Sequence, residues 1–184
     1  MANIALNKPS GGQLILSPED GTSTETVTIP SGGVMAADAP TGKVLQVQNF
    51  VTGTTASVAN TTYVNTPLTI NITPTSSSSK LLVFATVNGT ASSTAGYFRL
   101  QRNGTTIGSS SEGSQDTFSG LMYNSGGSSM QHTTINYEDS PSTTSQVTYT
   151  IQFRSQNTGT FYFNRDQNGT SAATSTITVM EVAA

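Results

Sequence analysis

Apolar and polar residues alternate with a period of two in many short segments of this chain, and this period is typical of half-buried β-strands. The clearest case is the segment 67–73, in which Leu68, Ile70 and Ile72 face one way and Thr and Asn residues face the other. Segment 146–154 repeats the alternation over a longer stretch. Both segments are therefore predicted to be strands with one face on a core.

Two further segments are apolar on both faces. Residues 81–87 read Leu-Leu-Val-Phe-Ala-Thr-Val, which predicts a strand buried between two sheets or between two subunits. Phe161, Tyr162 and Phe163 place aromatic rings on both faces of another strand. We identify these three residues as a candidate subunit interface, because aromatic residues are enriched in interfaces. The alternative is a strand enclosed within one subunit.

Asn-Gly pairs are predicted to separate several of the strands. Asn103-Gly104 lies between two alternating runs, which is the strongest short-range signal of a hairpin with a type I′ turn. Asn88-Gly89 and Asn168-Gly169 are predicted to be turns by the same pattern. From Lys43 onward, roughly ten short strands follow at the spacing of all-β sandwiches and barrels.

The fold class follows from these strands. No amphipathic helix of useful length separates them, so a parallel sheet with helical crossovers is excluded. A jelly roll, an immunoglobulin-like sandwich and a barrel remain. About ten strands exceed the number in an immunoglobulin-like domain. We therefore predict an all-β protein in which an N-terminal β-hairpin arm precedes a jelly-roll β-sandwich of about ten strands.

Residues 1–42 are predicted to form an attachment arm and linker, and residues 43–184 the jelly-roll head. The arm combines a short apolar run at 13–16, a Pro- and Gly-containing turn at 17–21 and an alternating run at 24–29. An isolated hairpin is barely stable in water, so the arm must pack on something. The candidate attachment residues are Leu14, Ile15, Leu16, Val27 and Ile29.

Composition and charge restrict the partners. Charged residues make up only 9% of the chain, the net charge is −3, and the seven basic residues are scattered. Nucleic-acid binding needs clustered basic side chains, so neither nucleic acid nor an anionic membrane is an expected partner. There is no Cys. The sequence shows no signal peptide and no apolar run that spans a membrane, so we expect synthesis in the cytoplasm without export.

The candidates for catalysis are few. His132 is the only histidine, and its strand pattern places it on the polar face. Glycoside cleavage needs two facing carboxylates, and the possible pairs are Glu112 with Asp116 and Glu138 with Asp139. Both pairs lie in Ser- or Gly-rich segments typical of solvated surface. We predict that the protein is not an enzyme and needs no cofactor or metal.

Several motifs resemble known proteins. They lie in segments 11–30, 42–47, 70–83 and 175–182, which read GGQLILSPEDG through TVTIP, GKVLQV, INITPTSSSSKLLV and STITVMEV. The first resembles a short hairpin of tail-fibre and other virion proteins of tailed phages. The others resemble a head domain of phage structural proteins, which is similar to tumour-necrosis-factor-like trimeric jelly rolls.

The resemblance implies a virion component that forms a homotrimer. The expected role is a capsid decoration (cement) protein or short head fibre on the capsid exterior. Its arm would bind the major capsid protein or another virion protein, and its head would project. The alternative is a tail-fibre or tail-tip protein that recognises host surface glycan through loops such as 108–116 and 124–130.

Overall fold

A computed structural model describes the backbone of residues 14–16 and 25–27, and residues 43–92, 94–109, 118–124 and 129–184 in full apart from the side chain of residue 124. Within these ranges the regular elements are all β-strands. They are β1 (Leu14–Leu16), β2 (Glu25–Val27), β3 (Val44–Thr52), β4 (Ala56–Val58), β5 (Val64–Ile72), β6 (Lys80–Ala91), β7 (Thr94–Arg102), β8 (Thr105–Ile107), β9 (Gly120–Asn124), β10 (Gln131–Asp139), β11 (Val147–Ser155), β12 (Phe161–Phe163) and β13 (Ser175–Val182).

The chain divides into two compact units, Met1–Pro40 and Thr41–Ala184. In the first unit β1 and β2 form the predicted antiparallel hairpin, with Leu14 opposite Val27 and Leu16 opposite Glu25. The predicted attachment residue Ile29 lies outside the described residues, as does the linker that follows it.

The second unit is a sandwich of two antiparallel sheets. Sheet I has the order β3-β13-β6-β12-β4, with β10 on the other side of β6. Sheet II has the order β5-β11-β7-β8, and β9 also pairs with β7. The chain crosses from one sheet to the other after β4, β5, β6, β9, β10 and β11. This interleaving is the strand order of a jelly roll and confirms the predicted fold class.

The core lies between the two sheets. Leu68, Ile70 and Ile72 of β5 are buried, as the alternation predicted. Four aromatic rings fill the centre, and two pairs of them meet edge to face: Phe98 with Phe161 at 5.1 Å and Phe153 with Phe161 at 6.1 Å between ring centroids. This geometry is favourable for aromatic rings in addition to the area that they bury. Phe163 completes the group against Phe153.

The Asn-Gly pairs behave in two ways. Asn103 and Gly104 have φ angles of 48° and 82°, which confirms the hairpin turn between β7 and β8. Gly169 has a φ of 71° and lies in a turn, also as predicted. The prediction of a turn at Asn88-Gly89 is wrong, because both residues lie inside β6. A Cβ at Gly89 would lie 2.3 Å from the carbonyl oxygen of Tyr162, so the glycine permits close approach of β12.

No helix that could cross a membrane occurs in the part of the chain that the structure describes.

Candidate functional site

The outward face of β6 is open to solvent. Leu81, Val83, Ala85 and Val87 point into the core and are buried. Phe84, on the opposite face of the same strand, is 42% exposed. Segment 81–87 was predicted to be buried either between two sheets or between two subunits. Burial of both faces between the sheets of one subunit is wrong, because sheet II covers only one face of β6. Burial between subunits stays a prediction.

The strands beside β6 extend this apolar surface. Leu82 of β6 lies opposite Met180 of β13, and Met180 lies opposite Val47 of β3. Directly opposed residues in adjacent strands point to the same face of a sheet. Asn49 and Val51 follow Val47 on the same face of β3, and Val51 is 51% exposed. We call the surface formed by Val47, Val51, Leu82, Phe84 and Met180 the apolar face of sheet I.

Strand β3 is exposed on both of its faces. Among its nine residues only Thr52 is buried and only Gln46 is half-buried. Phe50, on the face opposite to Val51, is also exposed. Segment 44–52 contains no charged residue, proline or glycine. Edge strands of soluble proteins are usually protected by such residues, so β3 has the properties of a strand that another surface covers.

The outward face of sheet II is different along β5, β11 and β7, because polar side chains cover it there and bond to one another across the strands. The Thr148 hydroxyl donates to Asn71 Oδ1 at 2.7 Å, and Gln152 Nε2 donates to Asn65 Oδ1 at 2.7 Å. Arg99 Nε in turn donates to Gln152 Oε1 at 2.8 Å. A polar surface of this kind is suited to contact with water, so the two outward faces of the sandwich are chemically distinct.

Arginine and aromatic side chains also stack on the outward face of sheet II. The Arg99 guanidinium lies 4.0 Å from the centroid of the Tyr63 ring, and that of Arg154 lies 4.5 Å from the Tyr97 ring. Tyr97 stacks in turn on Phe118 at 4.9 Å. These cation–π and stacking contacts fix the side chains in place and order this face of the sheet.

The two carboxylates of the predicted pair at the end of β10 do not face each other. Glu138 is exposed, and Asp139 is buried on the other face of the strand. Asp139 accepts hydrogen bonds from Arg102 Nη1 at 2.7 Å and from the Tyr149 hydroxyl at 2.6 Å. Burial raises the pKa of Tyr149, and the hydrogen bond to Asp139 raises it further. This arrangement stabilises the fold and does not provide the acid and base of a glycosidase. The other predicted pair, Glu112 and Asp116, lies outside the described residues.

Glu181 is a second buried carboxylate with a structural role. It points inward from β13, where Gln46 Nε2 donates to it at 2.6 Å and the Thr75 backbone and hydroxyl each donate at 2.7 Å. Burial alone would raise its pKa, but the hydrogen bonds from Gln46 and Thr75 lower the pKa to about 2. The ionised Glu181 therefore joins β3 and the loop after β5 to β13.

The three aromatic residues of the predicted interface are not equivalent. Phe161 and Phe163 are fully buried in the core. For these two residues the alternative prediction, a strand enclosed within one subunit, is therefore the correct one. They cannot contact a second subunit, because sheet II covers them. Tyr162 points outward, is half-buried and lies under the Arg165 guanidinium at 4.3 Å. A subunit contact at Tyr162 stays a prediction.

The remaining predicted residues lie as follows. Leu14, Ile15, Leu16 and Val27 belong to the hairpin of the first unit, where the backbone pairing is described. His132 is exposed on the outward face of β10, as the strand pattern predicted. Among the described residues there is no group of three or more His, Asp or Glu side chains that could hold a metal ion.

Sequence reasoning did not single out Val47, Val51 and Phe84. A signal for them was present, because segment 44–52 contains no charged residue, proline or glycine and segment 81–87 is apolar on both faces. Comparisons of the chain with protein-family models and with curated proteins found no match.

Proposed function

We propose that this chain is a structural protein of a tailed-phage particle, with the role of a capsid decoration protein or short head fibre. Its head would assemble as a homotrimer, and its N-terminal arm would bind the major capsid protein or another virion protein. The resemblance of the arm and head motifs to phage structural proteins supports the virion assignment.

The observation that carries the proposal is the apolar face of sheet I. Large apolar side chains on an otherwise polar protein mark interaction surfaces. No charged side chain of β3 or β13 points to this face, and its charged pair, Lys80 and Glu138, lies at the end beside Leu82. Only 9% of the whole chain is charged. Association of identical heads would cover this face and the unprotected strand β3. The threefold order comes from the resemblance to trimeric jelly rolls.

The arm is expected to supply the attachment. Its hairpin pairs only three residues on each strand, and a hairpin of this length is not stable alone. It therefore gains stability from a partner. A trimeric head with three arms would bind a lattice position of matching symmetry through three copies of one weak contact, which multiplies the affinity.

Cryo-electron microscopy of the intact virion tests the location. Protrusions at regular positions of the capsid lattice, fitted by the sandwich, would support the decoration role. Density restricted to the tail tip or baseplate would overturn it in favour of host recognition.

Particle binding by the full-length chain tests the arm. Ile15→Asp and Val27→Asp should abolish co-sedimentation with particles that lack the protein, whereas Thr148→Asp on the outward face of sheet II should bind normally. Full binding by both arm variants would contradict the assigned role of the arm.

A further inference from the structure

Three identical tripeptides, each reading Asn-Gly-Thr, begin at Asn88, Asn103 and Asn168. An asparagine that precedes glycine is prone to a spontaneous reaction, because glycine has no side chain that hinders attack by its backbone nitrogen on the asparagine side chain. The identical sequences make the intrinsic reactivity of the three positions nearly the same. Differences in reactivity between them are therefore expected to come from the fold.

Asn88 is held on both sides of its strand. The residue that follows it, Gly89, lies opposite Gln131 of β10 on one side and opposite Phe163 of β12 on the other. The Asn88 side chain is also fixed, because its Nδ2 donates to the Thr174 carbonyl oxygen at 2.7 Å. The strand would have to leave both neighbours before the Gly89 nitrogen could reach the Asn88 Cγ atom, so the fold protects this pair.

Asn103 is exposed, but two hydrogen bonds attach it to β11. Its backbone N–H donates to the Thr148 carbonyl oxygen at 2.9 Å, and its Oδ1 accepts from the Thr148 backbone N–H at 2.8 Å. Rotation of the side chain toward the Gly104 nitrogen would break the second of these bonds. This pair is therefore expected to react slowly although it lies at the surface.

Asn168 has neither kind of protection. It lies in a turn of the loop between β12 and β13, and both Asn168 and Gly169 are exposed. The Asn168 side chain makes no hydrogen bond with any residue that the structure describes. The Gly169 N–H donates to the Asp166 carbonyl oxygen at 3.4 Å, which is long for a hydrogen bond. The attacking nitrogen and the amide that it attacks are therefore both accessible.

We propose that Asn168 is a site of spontaneous deamidation in the folded protein. The Gly169 backbone nitrogen loses its proton to a solvent base and attacks the Asn168 Cγ atom. The bond between Cγ and Nδ2 breaks, the amide nitrogen leaves as ammonia, and a succinimide ring is formed. Water then opens the ring at either carbonyl group and leaves aspartate or isoaspartate at position 168. The reaction consumes water and releases ammonia, and it needs neither an oxidant nor a reductant.

The reaction adds a negative charge to the loop and leaves the sandwich intact. Both ends of the loop are fastened, because the Asp166 N–H donates to the Ser171 carbonyl oxygen at 3.0 Å and the Ala173 N–H donates to the Asn164 carbonyl oxygen at 3.0 Å. The net charge of −3 becomes more negative by one charge in each deamidated chain. This surface change does not depend on the proposed structural role.

Peptide mapping of the full-length protein after incubation at mildly alkaline pH tests the proposal. Trypsin separates the three pairs, because the peptides 81–99, 103–154 and 166–184 contain one pair each. Mass spectrometry should show that Asn168 converts at least about tenfold faster than Asn88, whose strand must open first. Asn103 should also convert more slowly than Asn168. In urea at the same pH the three sites should convert at similar rates, because only the fold distinguishes them.

Ion-exchange chromatography of the intact protein provides the matched variants. The wild type should accumulate an acidic form that elutes near Asn168→Asp. Asn168→Gln should not accumulate this form, because a glutamine side chain would have to close a larger and less favourable ring. The proposal is overturned if Asn168 persists in the folded protein while the unfolded protein converts, or if Asn88 or Asn103 reacts first. An acidic form that Asn168→Gln produces at the wild-type rate would overturn it as well.

Discussion

Val47 of β3 lies directly opposite Met180 of β13, and both side chains point away from the core of the sandwich. Val47 is 52% exposed because it points outward from β3, beyond which the described part of the chain adds no further strand to sheet I. On β6, Leu82 lies opposite Met180 and extends this row of apolar side chains. This apolar row on a solvent-facing surface is the feature that a second copy of the chain would cover, and it leads to the first prediction.

A lysine in this row should prevent self-association. Val47→Lys and Phe84→Lys each place a charge that would lose its hydration in a subunit contact. Size-exclusion chromatography with light scattering should give a mass near three times 19.1 kDa for the wild type and near 19.1 kDa for both variants. Thr148→Lys, on the polar outward face of sheet II, is the matched control and should keep the wild-type mass. A monomeric wild type, or trimeric lysine variants, would show that the apolar face is not the contact.

The hydroxyl of Tyr149 should contribute measurably to stability. It donates to the buried Asp139 at 2.6 Å, so Tyr149→Phe leaves a carboxylate oxygen with one partner fewer in the core. The expected loss is about 1–3 kcal/mol in the free energy of unfolding, measured by urea denaturation. Tyr123→Phe removes the hydroxyl of an exposed tyrosine and should change the free energy by less than about 0.5 kcal/mol. Equal effects of the two changes would mean that the bond to Asp139 contributes nothing.

Glu181 should make the stability depend on pH. Its pKa in the folded protein, about 2, is below its ordinary value of 4.5. A depressed carboxyl pKa gives stability that is present above pH 4.5 and is lost as the pH falls toward 2. Glu181→Gln should remove this component of the pH dependence, on the order of 2 kcal/mol. Thermal unfolding of both proteins between these pH values measures it. Parallel curves for wild type and variant would contradict the assignment.

The strand pattern and the all-β class were accessible from the sequence because both depend on local alternation and turn residues. The burial of Leu68, Ile70 and Ile72 was predicted correctly, since one face of β5 is buried and the other is polar. The turn at Asn103-Gly104 was also predicted correctly, because both central residues of this turn have positive φ angles and Asn and Gly tolerate them.

The candidate sites were less predictable, because they depend on which surfaces remain uncovered after folding. Phe161 and Phe84 are both aromatic residues in apolar segments, but only Phe84 is exposed. The difference arises because Phe161 points to the face of sheet I that sheet II covers, whereas Phe84 points to the opposite face. Which face is covered depends on the long-range packing of the two sheets.

The last prediction concerns Asn88-Gly89, a pair that resembles a turn in the sequence but lies inside β6. A methyl group at Gly89 would lie 2.3 Å from the Tyr162 carbonyl oxygen and 2.7 Å from the Phe161 ring. Gly89→Ala should therefore separate β12 from β6 and cost more than about 2 kcal/mol, as overpacking of a core does. Gly53→Ala is the control, because its nearest neighbour would be Thr174 at 3.7 Å, an ordinary contact. Urea denaturation should give wild-type stability for Gly53→Ala. Similar stability of both variants would show that β12 does not need the glycine.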